Sequence, residues 1–239
     1  MKKLFLFLLF PCLLSAKSNE GYDFPLSILY TISKSNFKEV IKQNGTTLNS
    51  SQNSLLTLGL SGAIHPRNSS LYFYSWNFYY AQLTSGETTL NQKLNPPPEW
   101  GLNIHYNRNI ENWYVSPFAG IDVENFSTYN SDEAVLTNSP LEFRQHNISY
   151  ATIGASKAFR VDQVNFFAKI GLSYSVYSSS SKKSALSDKD FSGFKYIFHF
   201  DFSLTEKASL HMFYKKHIMD GSTELKISRF GVGLGYELF

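Results

Sequence analysis

The sequence predicts an all-β fold: an up-and-down antiparallel transmembrane β-barrel of about ten strands, or eight if the first hairpin or the ninth strand lies outside the wall. Three observations lead there. Apolar side chains recur at every second position in segment after segment, the period of a strand whose two faces meet different surroundings. The connections alternate between short and long, as they do when tight turns line one rim of a barrel and loops the other. The minor face of the segments is rich in glycine, serine and charge, a poor surface for a soluble sandwich but a suitable lumen.

The first strand is Phe24 to Ser33, with Leu26, Ile28, Tyr30 and Ile32 on one face; the polar stretch Lys34 to Asn53 reads as a long loop. The second, Ser54 to Ile64, sets Leu56, Leu58, Leu60 and Ile64 against Thr57, Gly59, Ser61 and Ala63. After the short turn His65 to Ser70, the third carries Tyr72, Tyr74, Trp76, Phe78 and Tyr80 on its major face. Pro96-Pro-Pro98 removes ladder donors, so Thr84 to Glu99 reads as loop. The fourth, Trp100 to Asn107, alternates Trp100, Leu102, Ile104 and Tyr106 with Asn103, His105 and Asn107. The fifth, Trp113 to Asn125, places Val115, Ala119, Ile121 and Val123 opposite Ser116, Gly120, Asp122 and Glu124, and a polar loop follows from Phe126 to Arg144. The sixth, Asn147 to Phe159, alternates less cleanly and suggests a bulge within Ala151 to Gly154.

A turn from Arg160 to Gln163 opens the seventh strand, where Phe166, Ala168, Ile170, Leu172, Tyr174 and Val176 oppose Asn165, Lys169, Ser173 and Ser175. Serine-rich Ser178 to Asp190 is a loop. The eighth, Gly193 to Leu204, sets Tyr196, Phe198, Phe200 and Phe202 against Lys195, His199, Asp201 and Ser203. The ninth is Ser209 to Ile218, and Asp220 to Thr223 turns into the closing strand. Strands of about ten residues can cross a bilayer when tilted. Ten of them enclose a narrow lumen that side chains largely fill, which disfavours a general porin.

Met1-Lys2-Lys3 is a basic start, Leu4 to Phe10 an apolar run and Leu13 to Ala16 a cleavage region, the three parts of a signal peptide. The apolar run is too short for a spanning helix. Cys12, the only cysteine, falls inside this segment, so the mature chain is expected to lack disulfide and thiolate chemistry. A formal charge of +3 over 239 residues argues against nucleic acid as a partner. Fifteen Tyr and 21 Phe suit the aromatic girdles of a membrane barrel.

Phe230, Val232, Leu234, Tyr236 and Leu238 share one face of the closing strand, with Gly231, Gly233, Gly235 and Glu237 on the other. The chain then ends on Phe239, one residue out of phase with the stripe. This ending resembles the closing strand of bacterial outer-membrane β-barrels, whose terminal aromatic the barrel-assembly machinery reads. Together with the glycine-broken Pro117-Phe-Ala-Gly-Ile121 strand, it makes the mature chain similar to the small OmpA-type and OmpW-type barrels of Gram-negative bacteria. The resemblance implies a place in the cell outer membrane, with a signal peptide at 1–16, a short periplasmic segment at 17–23 and the barrel at 24–239. It also implies outer-membrane lipid and lipopolysaccharide as surroundings, and the assembly machinery as a partner during biogenesis. Oligomeric state stays open.

By phase, the inward ionisable set is His105, Asp122, Glu124, Lys169, Lys195, His199, Asp201, His211, Lys215, His217 and Arg229. Both signs are present, so the first expectation is a hydrogen-bonded polar network in which each charge finds a partner. Two sharper readings stand beside it. Asp122 with Glu124, near the external end of the fifth strand, and His199 with Asp201 resemble the acid pair and acid–His pair of omptin proteases, although His and Asp stand in reversed order. His217-Ile-Met-Asp-Gly221 falls where lipid A deacylase barrels carry base and nucleophile, but Met219 occupies the serine's place and Ser222 lies in the turn. The histidines show no metal-ligand spacing along the chain, and no cofactor is expected. The function expected is therefore non-enzymatic: a structural, surface-contact or adhesion role through polar external loops. A narrow pore for small solutes, or one of the two enzymes, is the alternative.

Overall fold

The computed structural model describes residues 22–88, 96–110, 113–130, 134–136, 138, 140, 142–180, 191–221 and 223–238. The signal segment, Ser222 and Phe239 lie outside them. The strands are β1 (Tyr22–Asp23), β2 (Leu26–Ile41), β3 (Thr47–Pro66), β4 (Tyr72–Thr88), β5 (Glu99–Arg108), β6 (Ser116–Tyr129), β7 (Phe143–Val161), β8 (Val164–Ser180), β9 (Ser192–Ser203), β10 (Ala208–Asp220) and β11 (Thr223–Glu237). Each of β2 to β11 pairs antiparallel with its neighbours in sequence, and β11 pairs with β2, closing a ten-stranded up-and-down barrel. β1 adds two residues to the rim, Tyr22 opposite Pro66 and Asp23 opposite His65, where Arg67 donates to Asp23 at 2.7 Å. No described helix is long and apolar enough to cross a membrane, so any crossing falls to the strands.

One rim holds both described ends of the chain, the turns 67–71, 162–163 and 204–207, and the described residues 109–110 and 113–115. In outer-membrane barrels the short turns are periplasmic. The opposite rim, which among the described residues holds 42–46, 96–98, 130, 191 and 221, is therefore the external one. A spanning strand needs roughly 9–11 residues; β3 has 20 and β7 has 19. The excess projects outward as a crown.

That excess corrects the expected long loop at Lys34 to Asn53. β2 and β3 run on through it as a ladder, from Lys34 opposite Asn53 to Val40 opposite Thr47, and turn only at 42–46, where Gly45 takes a positive φ of 71°. The stretch reads as loop because its outward side chains are Lys34, Asn36 and Lys38, polar as water above the bilayer requires. Likewise Phe126 to Tyr129 and Phe143 to His146 are strand rather than loop.

Three smaller expectations also change. Trp113 to Val115 precede β6 in the inner-rim turn, which Trp113 closes by donating its N–H to Ile110 O at 3.0 Å. The β7 irregularity lies between Ser149 and Tyr150, with the extra residue, Val176, on β8. β11 stops at Glu237, and Leu238 only donates its N–H to Leu26 O at 2.7 Å.

Within the belt the faces divide as the alternation predicts. Ile121, Ile153 and Ile170 point outward and are 60%, 63% and 57% exposed, far beyond what water would favour and suited to acyl chains. Inward glycines in β11 make room for neighbours. A Cβ on Gly231 would come within 2.3 Å of the Phe213 ring, and one on Gly233 within 2.1 Å of Tyr30 O.

Candidate functional site

All eleven ionisable residues placed inside by phase do line the lumen, and they form two groups. The larger group spans the barrel at mid-height. Asp122 on β6 is fully buried; its Oδ1 meets His105 Nε2 at 2.7 Å, and its Oδ2 accepts from Lys195 Nζ at 2.6 Å and Thr152 Oγ1 at 2.8 Å. Glu124, two residues on, accepts from Lys195 at 3.2 Å and Lys215 at 2.7 Å, with His217 Nε2 3.6 Å away. Lys169 Nζ lies 2.6 Å from His105 Nδ1. Arg229 pairs with Glu99 and donates through Nε to Ser35 Oγ at 2.7 Å.

These contacts cross the lumen. Lys215 on β10 reaches Glu124 on β6, and Arg229 on β11 reaches Glu99 on β5, each four strands around the wall. Tyr150 on β7 meets His217 Nδ1 on β10 at 3.0 Å, and Lys195 Nζ lies 4.3 Å from the centre of the Tyr150 ring. A buried charge without a partner costs several kcal/mol, so this pairing is what lets lysines and acids occupy the wall's interior. Beside this layer and continuing externally of it, Phe37, Phe126, Ile148, Tyr150, Phe191, Met219, Leu225 and Ile227 form one buried apolar cluster, with Tyr150 belonging to both.

The second group is His199, Asp201 and His211 on β9 and β10, nearer the inner rim. It faces a cavity of about 340 Å³ that extends to Pro25, Ala63 and Ser209. His199 and Asp201 are two apart and share a face, while His211 lies directly opposite Asp201 in the ladder. His199 Nε2 is 2.9 Å from Asp201 Oδ1, His211 Nδ1 is 2.6 Å from the same oxygen, and the two ring nitrogens are 2.8 Å apart. The expectation that no histidines stand at ligand spacing is thereby corrected. Spacing along one strand hides a set that a neighbouring strand completes.

The resemblance to protease and deacylase sites changes equally. β6 continues to Tyr129, so Asp122 and Glu124 lie at mid-lumen rather than at the external end, each against lysine. His199 and Asp201 face the inner cavity. His217 is engaged with Tyr150 and Glu124, and Met219 belongs to the apolar cluster.

Sequence reasoning missed Glu99, Tyr79 and Tyr150. Glu99 reads as part of the Pro96–Pro98 loop, yet it shares the phase of Asn103 and His105, which points it inward. Tyr79 shares the phase of Ser75 and Asn77, and its ring lies 4.6 Å from Lys215 Nζ. For Tyr150 the bulge beside it blurs the alternation.

No protein-family model matches the chain, and no curated protein matches its sequence. Among solved structures, the chain is similar to the outer membrane protease OmpT from Escherichia coli, with a TM-score of 0.51 and 10% identity over 92% of this chain and 98% of that one. The translocator domain of the autotransporter NalP from Neisseria meningitidis aligns with a TM-score of 0.43 and 9% identity, over 98% of this chain and 96% of that one. At such identities the likeness is one of fold. With its closed sheet, its greasy exterior and its bridged polar interior, the chain is a ten-stranded barrel of the outer-membrane type.

Proposed function

We propose that this barrel is a non-enzymatic, non-conducting surface protein of the outer membrane, acting by contact through its external crown. The observation that carries the reading is the lumen. Side chains bridge it from wall to wall at mid-height, and a buried apolar cluster packs against that layer and extends above it. A pore would need a continuous wetted path. Rigid paired strands then hold the outer turns in place, the arrangement in which loops serve recognition. Purified protein in planar bilayers tests this: no conductance steps are expected from the wild type. Stable steps at modest voltage would overturn the reading in favour of a narrow pore.

Lipopolysaccharide is the partner that the outer wall favours. On β2, Lys34 and Lys38 follow the lipid-facing Ile28, Tyr30 and Ile32; on β11, Lys226 lies beyond Phe230, and Lys216 on β10 beyond Tyr214. The four lysines share one external groove, and among the described residues none makes an ion pair. Lys38 and Lys226 face each other directly in the ladder. Like charges so placed repel unless an anion lies between them, and a glycolipid with its chains on the belt brings its phosphates to that height. Binding of lipopolysaccharide to Lys38→Glu/Lys226→Glu should fall severalfold, and dephosphorylated lipopolysaccharide should bind wild type no better. Equal binding in all arms would remove this partner.

A further inference from the structure

We infer that His199, Asp201 and His211 form a binding site for a divalent transition metal of the zinc class, opening on the inner cavity. The inference is independent of the surface role.

Three ligand atoms, two imidazole nitrogens and one carboxylate oxygen, converge within 2.6–2.9 Å of one another. With Asp201 as a carboxylate, hydrogen bonding cannot satisfy all three contacts. If both nitrogens carry protons toward Asp201, two N–H groups confront each other across 2.8 Å. If His199 Nε2 is unprotonated, its lone pair faces that of Asp201 Oδ1 at 2.9 Å. If His211 Nδ1 is unprotonated instead, the same conflict falls on the 2.6 Å contact. One edge of the triangle is repulsive in every tautomer. A cation at its centre turns all three lone pairs into attractive contacts.

The donor set names the metal. Imidazole suits zinc, copper, nickel and cobalt, whereas magnesium and calcium take oxygen. A tetrahedral zinc ion with bonds of about 2.0–2.1 Å holds its ligands roughly 3.3–3.4 Å apart, so the pairs need open by only about 0.4–0.8 Å. Two residues of one strand and a third opposite them also leave one side uncovered, and here that side is the cavity of about 340 Å³. Three protein ligands with an open fourth position can exchange that position for water or a solute donor.

The surroundings support the ring positions. Phe167 stands edge-on to His199 with centroids 6.0 Å apart, and Phe213 lies at 6.0 Å from His211. Lys169, opposite His199 in the β8–β9 ladder, directs its ammonium to His105.

The test uses the mature barrel refolded in detergent, its folding confirmed by the mobility shift on heating in SDS, and titrated with Co²⁺. One equivalent should bind with the visible absorption of tetrahedral cobalt. Zn²⁺ should displace it and Mg²⁺ should not. His199→Ala/His211→Ala should abolish the spectrum, and Asp201→Asn should weaken binding by about tenfold or more. If the double variant does not fold, His199→Gln carries the same expectation. His65→Ala, at the inner rim and outside the cluster, should leave binding unchanged. No cobalt spectrum in the folded wild type, retention of the spectrum in the folded ligand variants, or displacement by Mg²⁺ would each overturn the site.

Discussion

The two halves of β11 obey opposite rules on one unbroken ladder. From Phe230 to Tyr236 the bulky residues face outward and glycines face inward; from Thr223 to Ser228, Leu225 and Ile227 are buried inside while Glu224 and Lys226 are exposed. β2 repeats the inversion, with Tyr30 and Ile32 outward below, and Phe37 and Ile41 inward above. No break in the β2–β11 register accompanies the change. The solvent changes instead. In the belt the outside is hydrocarbon, so apolar groups gain nothing by hiding, and the enclosed face must pair its polar groups. In the crown the outside is water, and ordinary hydrophobic burial returns.

Four measurements sharpen or break that contrast, read as unfolding free energies from urea titrations in lipid vesicles unless stated. The largest effect belongs to the bridged layer. Glu124→Gln leaves Lys195 and Lys215 with one shared carboxylate fewer, and it should cost roughly 3–5 kcal/mol. A loss below about 1 kcal/mol would show that water already enters the layer.

Next comes the exterior. Ile121→Arg, which puts a charge into the lipid-facing belt, should cost about 2–4 kcal/mol. The same change at exposed Thr47 in the crown should cost less than about 0.5 kcal/mol. Equal costs would place the membrane boundary elsewhere.

Truncating one residue type in both regions isolates packing. Ile41→Ala, fully buried in the crown, should cost about 2 kcal/mol more than Ile121→Ala, because lipid closes over a lost side chain while a packed core keeps the cavity. A matching pair of values would mean that the crown repacks freely.

The smallest effect changes sign with surroundings. In detergent, Lys38→Ala should raise stability by a few tenths of a kcal/mol by relieving its contact with Lys226. In vesicles containing lipopolysaccharide the same variant should be the less stable one. Destabilisation in both media would mean that the lysine acts through packing.

Residue phase was enough to send His105, Asp122, Glu124 and Lys195 inward, because a strand's side chains alternate whatever surrounds it. Pairing was beyond it. Arg229 and Glu99 are 130 residues apart, and they meet only because closure brings β11 opposite β5. The crown was misread for a related reason. Lys34-Ser-Asn36 is polar on both faces at the level where the inversion occurs, so local pattern there resembles a loop.

Wall orientation and membrane character follow from the chain alone, since each depends only on periodicity and on the contrast between neighbouring residues, while the choice between ten strands and eight waited on the closed sheet. The height of the strands above the bilayer, the bridged lumen and the meeting of His199, Asp201 and His211 depend on which strands become neighbours and how far their ladders run. Pairing of neighbouring strands settles the first and last of these, and closure of the sheet settles the bridged lumen, because it brings strands four apart in the wall to face one another.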